Sequence, residues 1–350
     1  MLEIKKKFNL LNHNTFKLNS IASAWFKASS IEDIINAIDY SQKNNLTIVP
    51  IGDGSNILLG PSIKKLVLDI NLKGIKLINQ DSDTVLIEVG AGENWHKWVC
   101  IASNNSWYGL ENLALIPGRV GAAPIQNIGA YGVEVSDFIE SVQFIDLNKY
   151  KKDQTYISSI VNHECDFSYR NSIFKSLKKS SIITSVTFRL KKKFEANLTY
   201  SNLAENIKNN ASISSQDIIN TVTDIRKKKL PNPSLVPNVG SFFKNIEMNE
   251  EDFKKFITNI PNAPFFKQKK KYKIPSAWLI DQCGYKFRKY KTLSMHKDQA
   301  LVMTNCSNKD ESNPSNRIDL NDVIFFSNEI KKSVDERFGL KLDVEPEIIS

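Results

Sequence analysis

The sequence contains few residues of the types that build disulfide or metal frameworks. Its four cysteines, Cys100, Cys165, Cys283 and Cys306, are far apart and form no CxxC pair. The four histidines show no spacing typical of metal ligands. We therefore expect free thiols in a reducing compartment and no bound metal ion.

Long apolar runs are also missing. No stretch approaches the ~18–20 consecutive apolar residues of a membrane span. The N-terminal MLEIKKKFNLLNHN lacks the apolar region of a signal peptide. These absences predict a cytoplasmic protein that does not bind membranes.

Acidic residues are outnumbered, because 47 Lys and Arg face 38 Asp and Glu and give a net charge of +9. The cations are dispersed in short runs without an aromatic platform, which argues against nucleic-acid binding. Two interpretations stay open: solvated lysines, or a field that attracts an anionic substrate. The runs are Lys5–Lys7, Lys191–Lys193, Lys227–Lys229 and Lys269–Lys271.

The first half of the chain shows a β-α-β order of elements. IEDIINAIDYSQKN has helical apolar spacing, with Ser30 as the expected N-cap and Asp33 three residues on. LTIVPIG, IKKLVLDI and TVLIEVG are typical of strands. NWHKWVCIASNNS predicts a helix that packs on the sheet through Trp95, Trp98, Val99 and Ala102. An α/β or α+β domain follows from this order, and 350 residues allow about two or three domains.

The second half begins with the strand-like runs SVQFIDL, SSIITSVTFRL and ANLTY. SSQDIINTVTDIRKKKLPNP predicts a helix that ends before Pro231, and we place a domain boundary near residue 210. Further helices are predicted at 250–259 and 321–339, a polar loop at 307–316 and a terminal strand in LKLDVEPEIIS.

Glycine is sparse as well, with 14 residues in the chain, so its clusters are informative. In PIGDGSNILL, glycines at 52 and 54 permit either an ordinary β-turn or a nest of backbone N–H groups that binds an anion. VGAGENWHKW is equally compatible with close packing between strand and helix and with close approach of a cofactor.

The densest cluster of small residues is GLENLALIPGRVGAAPIQNIGAYGVEV at 109–135. A backbone with so few side chains fits against a large flat ligand, and Gln126 and Asn127 could read its polar edge. This pattern favours ligand binding over core packing alone.

Together, GDGSN, GAGENWHKW, GLENLALIPGRVGAAPIQNIGAYGVE, SYRNSIFK and GSFFKN resemble the UDP-N-acetylenolpyruvoylglucosamine reductase family. The resemblance runs from about Asn14 to the C-terminus and is to the form with a tyrosine loop. It implies an α+β fold: a two-lobed FAD-binding domain of the vanillyl-alcohol oxidase type and a C-terminal α/β substrate-binding domain. We expect the FAD-binding domain at 1–210, with lobes of about 1–70 and 71–210. The substrate domain is expected at 211–330, and 331–350 should return to the active site.

The resemblance also implies the reaction. Non-covalently bound FAD would take hydride from NADPH and reduce UDP-N-acetylglucosamine enolpyruvate to UDP-N-acetylmuramate for peptidoglycan, in a protein that we expect to be monomeric. Motif by motif, the catalytic residues are Arg170, Ser241 as proton donor and Glu347, and the substrate contacts are Tyr200, Lys229, Asn245 and Gln299. The FAD contacts carried over are Gly52, Gly54, Ser55, Asn56, Gly118, Gly121, Ala122, Gln126, Asn127 and Gly129.

Three departures from the family pattern accompany these motifs. In GRVGAAP, Arg119 and Ala122–Ala123 stand where hydroxyls or other small residues can occur, so an individual hydrogen bond to FAD can be missing there. CGYKFRKYKTLSMH lacks expected glycines, and only three residues follow Glu347.

Two other functions remain to be compared. One is an FAD-dependent oxidase of the same cofactor fold that acts on a sugar or lactone; such enzymes often tether FAD through a histidine in the first glycine turn, and GDGSN has none. A non-catalytic scaffold predicts loss of Arg170, Ser241 or Glu347, yet all three are present.

Overall fold

The chain passes back and forth between two separately packed units in this computed structural model, which describes residues 3–150, 157–176, 180–207, 212–268, 271–306 and 318–350. Unit one comprises Met1–Phe8, Ala22–Gly54 and Lys64–Lys228, and unit two comprises Asn9–Ile21, Ser55–Ile63 and Lys229–Ser350. The units therefore interleave along the chain, whereas the sequence led us to expect one boundary near residue 210. The functional division at 210 and 330 stays a prediction.

Unit one is built around two sheets, of which the five-stranded one is antiparallel throughout, and a short hairpin. Strands β3 and β5 are parallel, whereas β12 is antiparallel to both β10 and β7. The first sheet has the order β1 (Lys5–Asn9), β2 (Ile21–Ala28), β5 (Ser62–Ile70), β3 (Ile48–Ile51). The second has the order β11 (Ile157–Val161), β10 (Ile139–Asp146), β12 (Ser181–Lys191), β7 (Thr84–Gly90), β6 (Ile75–Gln80), and the hairpin is β8 (Gly129–Ala130) with β9 (Val133–Glu134).

The helices of unit one follow the sequence signals closely. Helix α1 (Ile31–Lys43) begins with the predicted capping box, in which Ser30 and Asp33 bond each other's backbone N–H. Helix α2 (Trp95–Asn104) buries the face of Trp95, Trp98, Val99 and Ala102, as predicted. The others are α3 (Ser201–Asn206) and α4 (Ser215–Lys229), which ends before Pro231.

Unit two has its own sheets, helices and core. Its first sheet has the strand order β13 (Asn238–Ser241), β19 (Val302–Asn305), β18 (Leu293–Met295), β17 (Lys289–Tyr290). A second sheet has the order β14 (Ile246–Met248), β16 (Lys271–Ile274), β15 (Phe266–Gln268). In addition, β20 (Glu347–Ile349) pairs in parallel with β4 (Ile57–Leu59). The helices are α5 (Glu250–Asn259), α6 (Ser276–Gln282) and α7 (Leu320–Phe338). Phe16, Leu18 and Leu58, from the early part of the chain, are part of this core.

One strand prediction fails, and the predicted C-terminal strand is confirmed over part of its run. ANLTY forms no strand, because the Asn197 side chain accepts hydrogen bonds from the N–H and hydroxyl of Thr199 and closes a local turn. In the C-terminal run only β20 is a strand. The predicted polar loop at 307–316 lies outside the described residues.

Two absences concern only the part of the chain that the structure describes. Within it, no helix has the length and apolar character needed to cross a bilayer. Nor do its His, Cys, Asp and Glu side chains converge in any group that could hold a metal ion.

Candidate active site

The GDG turn follows β3 in unit one. Gly54 has a φ of 64°, a left-handed conformation that glycine adopts without strain. The chain enters unit two directly afterwards, so Ser55 and Asn56 belong to that unit and precede β4. The four predicted FAD contacts of GDGSN are thus divided between the units.

The GAG turn packs tightly against backbone. A Cβ added to Gly90 would lie 2.5 Å from the Leu72 carbonyl oxygen, and one added to Gly92 would lie 2.4 Å from the Asn71 carbonyl carbon. Of the two interpretations of VGAGENW, close packing therefore explains these glycines.

The run at 109–135 combines packing and turn positions. Gly118 has a φ of 122°, and its carbonyl accepts a hydrogen bond from Trp95 at 3.0 Å. Gly121 donates to the Ala91 carbonyl at 2.9 Å, and a Cβ at Gly121 would lie 2.6 Å from the Cβ of Ala91. Ala122, by contrast, is exposed at the end of this short turn.

Asn127 is buried completely and has a φ of 47°. Its amide nitrogen donates to Glu134 at 3.0 Å and to the Ser168 carbonyl at 3.3 Å, while its oxygen accepts from Ser136 at 3.0 Å. The side chain thus holds the run in shape, and a direct contact between this amide and FAD stays a prediction. Gln126 is half-buried beside it.

Arg170 lies at the tip of a two-residue turn. Ser168 and Asn171 exchange backbone hydrogen bonds of 3.1 Å, and Arg170 between them has a φ of 53°, which is uncommon for a non-glycine residue. Its Nη2 donates to the Gly129 carbonyl at 2.8 Å, and a Cβ on Gly129 would lie 3.3 Å from its Nη1. Gly129 therefore leaves room for the predicted catalytic guanidinium, in a backbone conformation of the strained kind that clusters at functional sites.

A second guanidinium, that of Arg226 on α4, acts on the same region. Its Nε is buried without a hydrogen-bond partner, and no carboxylate among the described residues forms an ion pair with it. Burial lowers the pKa of Arg226, the neighbouring Tyr131 opposes this effect, and the charge of Arg170 lowers it further. Two cations with this environment favour an anionic ligand.

Tyr131 and Tyr200 lie beside these arginines. Their rings meet edge to face with centroids 5.4 Å apart, and burial raises the pKa of both phenols. Tyr200 precedes α3, so the predicted substrate contact is fixed at a helix start.

The GSFFKN segment lies in unit two. Gly240 has a φ of 73° at an irregularity in the pairing of β13 with β19, and Ser241 follows it opposite Val302. Phe242 and Phe243 are fully buried, with ring centroids 5.0 Å apart. Glycine thus shapes the turn and the rings anchor it, while the Ser241 side chain stays partly exposed.

Two other segments of unit two are hydrogen-bonded to Phe242. Its N–H donates to the Leu301 carbonyl at 2.8 Å, and its carbonyl accepts from Glu345 at 2.9 Å. Gln299 lies two residues before Leu301, and Glu347 lies two residues after Glu345. Unit two thereby places the segments that carry Ser241, Gln299 and Glu347 side by side.

Glu347 is also tied to the first glycine motif. Its N–H donates to the Asn56 carbonyl at 3.0 Å, and β20 continues in register beside β4. A predicted FAD contact and a predicted catalytic carboxylate are therefore neighbours. Asn245 accepts from Ser276 at 3.1 Å and so fixes the start of α6, whereas Lys229 lies at the exposed end of α4.

Unfilled hydrogen-bonding capacity in unit one fits a polar cofactor. The hydroxyls of Thr184 and Ser185 on β12 are buried and have no partner among the described residues. Ser185 pairs with Gly90, and the Thr184 carbonyl accepts from Ala91 at 2.9 Å, so both adjoin the segment that packs on Gly121. FAD carries ribityl, phosphate and ring groups able to bond such hydroxyls.

Sequence reasoning missed Arg226, Thr184 and Ser185. Arg226 is the first cation of the run RKKK, and the three lysines after it are exposed. The signal that could have identified it is its position next to Ile225, on the buried stripe of α4 that also contains Ile218 and Val222. The hydroxyls of Thr184 and Ser185 lie in β12, whose sequence otherwise predicts an apolar core strand.

Comparison with known proteins agrees with this geometry. A family model described as "FAD binding domain" matches residues 22–149, and one described as "UDP-N-acetylenolpyruvoylglucosamine reductase, C-terminal domain" matches residues 232–349. These matches confirm an FAD-binding domain followed by the C-terminal domain of the reductase family, and both parts of the chain combine helices and strands.

Curated relatives match over nearly the whole chain. The UDP-N-acetylenolpyruvoylglucosamine reductase of Flavobacterium johnsoniae is 38% identical over 99% of this chain and 100% of its own length. That of Photobacterium profundum is 36% identical over 98% of this chain and 95% of its own. The solved structure of the corresponding reductase from Thermus caldophilus superimposes with a TM-score of 0.63 over 100% and 99% of the two chains. At 20% identity, this last likeness supports the fold alone.

Proposed function

Since this chain belongs to the UDP-N-acetylenolpyruvoylglucosamine reductase family, we propose that Arg170, Ser241 and Glu347 carry out its reaction. The chain is an FAD-dependent enzyme that consumes NADPH to reduce UDP-N-acetylglucosamine enolpyruvate to UDP-N-acetylmuramate in peptidoglycan synthesis. FAD, when bound, accepts hydride from NADPH and supplies it to the β-carbon of the enolpyruvyl double bond.

The observation that carries the assignment of these catalytic roles is that two cations, Arg170 and Arg226, interact electrostatically in unit one. Negative charge grows on the enolpyruvyl carboxylate and α-carbon as the β-carbon receives hydride. A guanidinium fixed before the reaction stabilises that charge without rearranging. Arg170 has the orientation that Gly129 and its turn impose, and Arg226, whose Nε is buried, adds a second positive charge that interacts electrostatically with it.

The α-carbon must then receive a proton. We assign this step to Ser241, whose hydroxyl is held at the end of β13 by the buried Phe242 and Phe243. Serine is a weak acid, but an enolate-like carbon is a strong base, and Lys229 would lower the serine pKa in the complex. Glu347, in its protonated form, would donate a hydrogen bond to the substrate carboxylate.

The remaining assignments concern binding. Tyr200, Lys229, Asn245 and Gln299 are proposed to contact the UDP-sugar substrate. Gly52, Gly54, Ser55, Asn56, Gly118, Gly121, Ala122, Gln126, Asn127 and Gly129 are proposed to line FAD. The tyrosine-loop form, with Tyr131 in that loop, a monomeric state and a cytoplasmic location belong to the same proposal. Free thiols at all four cysteines fit a reducing compartment.

An anaerobic half-reaction experiment tests the proposal. The FAD-loaded protein should lose its visible flavin absorbance with NADPH and regain it when UDP-N-acetylglucosamine enolpyruvate is added. Ser241→Ala should leave the bleaching rate unchanged and slow the recovery by about 10²–10⁴-fold, the usual contribution of a positioned acid. Ser327→Ala, on α7 of the same unit, is the matched control and should behave as wild type.

Other outcomes would redirect the assignment. Recovery only on admission of oxygen would favour the oxidase alternative. Normal recovery in Ser241→Ala would remove Ser241 from the proton-transfer role.

A further inference from the structure

Arg119 connects the GDG turn to the end of β5 in unit one. Its Nε donates to Asp53 at 2.6 Å, and its Nη1 donates to Asp69 at 2.5 Å and also to the Ile70 carbonyl. The aliphatic stem covers Gly52, since a Cβ there would lie 3.6 Å from three of its carbons. The Arg119 side chain therefore contacts both Asp53, which lies between Gly52 and Gly54, and the end of β5.

The two carboxylates differ in exposure. The Asp69 side chain is 7% exposed and that of Asp53 is 36% exposed, whereas Arg119 is 17% exposed. Asp69 thus holds the guanidinium from the interior, and Asp53 lies on the accessible side, within the turn itself. Burial lowers the pKa of Arg119, but the two carboxylates outweigh it and raise the pKa, so the side chain stays cationic.

An aspartate in a phosphate-binding turn presents an electrostatic problem. The pyrophosphate of FAD carries two negative charges, and like charges a few ångströms apart repel more strongly where water is partly excluded. Backbone N–H groups of a glycine turn attract such an anion only if no uncompensated carboxylate stands beside them. Asp53 needs a fixed counter-charge for the turn to serve this purpose.

We propose that Arg119 is a positioning residue for FAD: it neutralises Asp53 and fastens the GDG turn, so that the turn accepts the cofactor's pyrophosphate. The inference rests on the proposed placement of FAD at Gly52 and Gly54. It also gives a role to the residue that departs from the family pattern, since Arg119 acts on FAD through Asp53 and needs no hydroxyl of its own.

The decisive variant is Asp53→Asn, because it removes the carboxylate while Asp69 and the Ile70 carbonyl still hold Arg119. In apoprotein stripped of flavin, the dissociation constant for FAD should fall by about threefold to tenfold at low salt, and this gain should shrink at 1 M salt, where the Debye length is about 3 Å. The affinity for riboflavin, which has no phosphate, should not change. Quenching of flavin fluorescence measures all three.

Arg119 variants complete the cycle. Arg119→Ser should raise the FAD dissociation constant by about tenfold or more, and Arg119→Lys, which keeps the charge, should stay within about threefold of wild type. The double variant with Asp53→Asn should regain most of the loss. Arg189→Ser, which breaks the exposed pair between Arg189 and Glu140 at 2.8 Å, is the matched control and should leave FAD affinity unchanged.

The outcomes separate this inference from the proposed function. If wild-type apoprotein binds FAD but Asp53→Asn binds it with equal or lower affinity, the neutralising role of Arg119 is refuted and the reductase assignment stands. An equal loss in Arg119→Ser and in the double variant would likewise show that Arg119 acts by packing alone. Failure of the wild-type apoprotein to bind FAD would instead count against the assignment on which the inference rests.

Discussion

At the scale of single residues, unit one keeps a charge where burial disfavours it. The Nε of Arg226 has no hydrogen-bond partner among the described residues, and Arg170 nearby has the same charge. Such an arrangement lowers the stability of the protein without ligand, because a buried cation without an anionic partner has lost hydration and gained little. Its retention is understandable if an anion supplies the missing partner.

Replacement of Arg226 by methionine should therefore have opposite effects on stability and on catalysis. The free energy of unfolding of the apoprotein should rise, since an apolar side chain replaces a cation that has no carboxylate partner among the described residues and lies in the field of Arg170. The recovery of oxidised flavin by substrate should slow by about 10²-fold or more, the usual effect of losing one group that stabilises developing charge. Urea titration and anaerobic stopped-flow absorbance measure the two effects.

Lys228→Met on the same helix is the matched control, because Lys228 is exposed. It should change neither quantity appreciably. Equal effects of the two variants on flavin recovery would mean that only the general positive field of α4 acts.

The sequence could identify Arg170, Ser241 and Glu347 only because each stands in a recognisable motif. Their geometry was beyond it: the positive φ of Arg170 depends on the turn between Ser168 and Asn171, and on the space left by Gly129. The internal partners of the Asn127 side chain, Glu134, Ser136 and Ser168, were equally beyond the sequence, while its predicted contact with FAD stays a prediction.

At the scale of elements, helix ends and packed faces were predictable because local residues determine them. Ser30 and Asp33 close the start of α1 without help from distant residues. The strand predicted for ANLTY does not form, and here too local residues decide. Its alternating pattern suits a strand, but the Asn197 side chain is a closer hydrogen-bond partner for Thr199 than a neighbouring strand would be. The pattern contains no information about that competition.

Helix α2 is joined to the 109–135 run by a titratable contact. His96 Nδ1 accepts a hydrogen bond from the Leu115 N–H at 3.1 Å, and Leu115 has a φ of 58°. Burial lowers the pKa of His96, and the charges of Lys227 and Arg226 lower it further. The folded state therefore binds fewer protons here than the unfolded state.

It follows that His96 contributes stability above its unfolded pKa of about 6.5 and that this contribution is lost as the pH falls towards the lower folded pKa. His96→Gln keeps an acceptor that does not titrate. Its free energy of unfolding should decline less between about pH 7 and pH 5 than that of wild type, as measured by urea titration. His163→Gln is the control, because His163 is exposed, and its curve should parallel wild type. Parallel curves for all three proteins would contradict the prediction.

At the scale of the whole molecule, each unit is assembled from three separate stretches of chain. The core of unit two includes Phe16, Leu18 and Leu58, which all lie before residue 64. Strand β4, the partner of the C-terminal β20, also lies before residue 64. A reading along the sequence finds contiguous domains, because composition and periodicity report neighbours in the chain. It could not anticipate that short early stretches complete a distant core.

A fragment of residues 229–350 should therefore not fold cooperatively. It lacks the core side chains Phe16, Leu18 and Leu58, each worth about 1.5–3 kcal/mol of transfer free energy, and the partner strand of β20. Circular dichroism with urea titration should show a shallow, non-cooperative transition. A version that joins residues 9–21 and 55–63 to the fragment through flexible linkers should regain a sigmoidal one. A sharp transition in the bare fragment would show that the early stretches are dispensable.

The tight contacts of Gly90 and Gly92 bear on how this chain can diverge. Because a side chain at either position would collide with the backbone of residues 71 and 72, selection for folding alone preserves both glycines. A descendant that lost its flavin would still inherit the GAG turn. Ancestry is thus recorded in such glycines, whereas loss of chemistry would first appear at positions that folding does not constrain, such as that of the proposed proton donor Ser241.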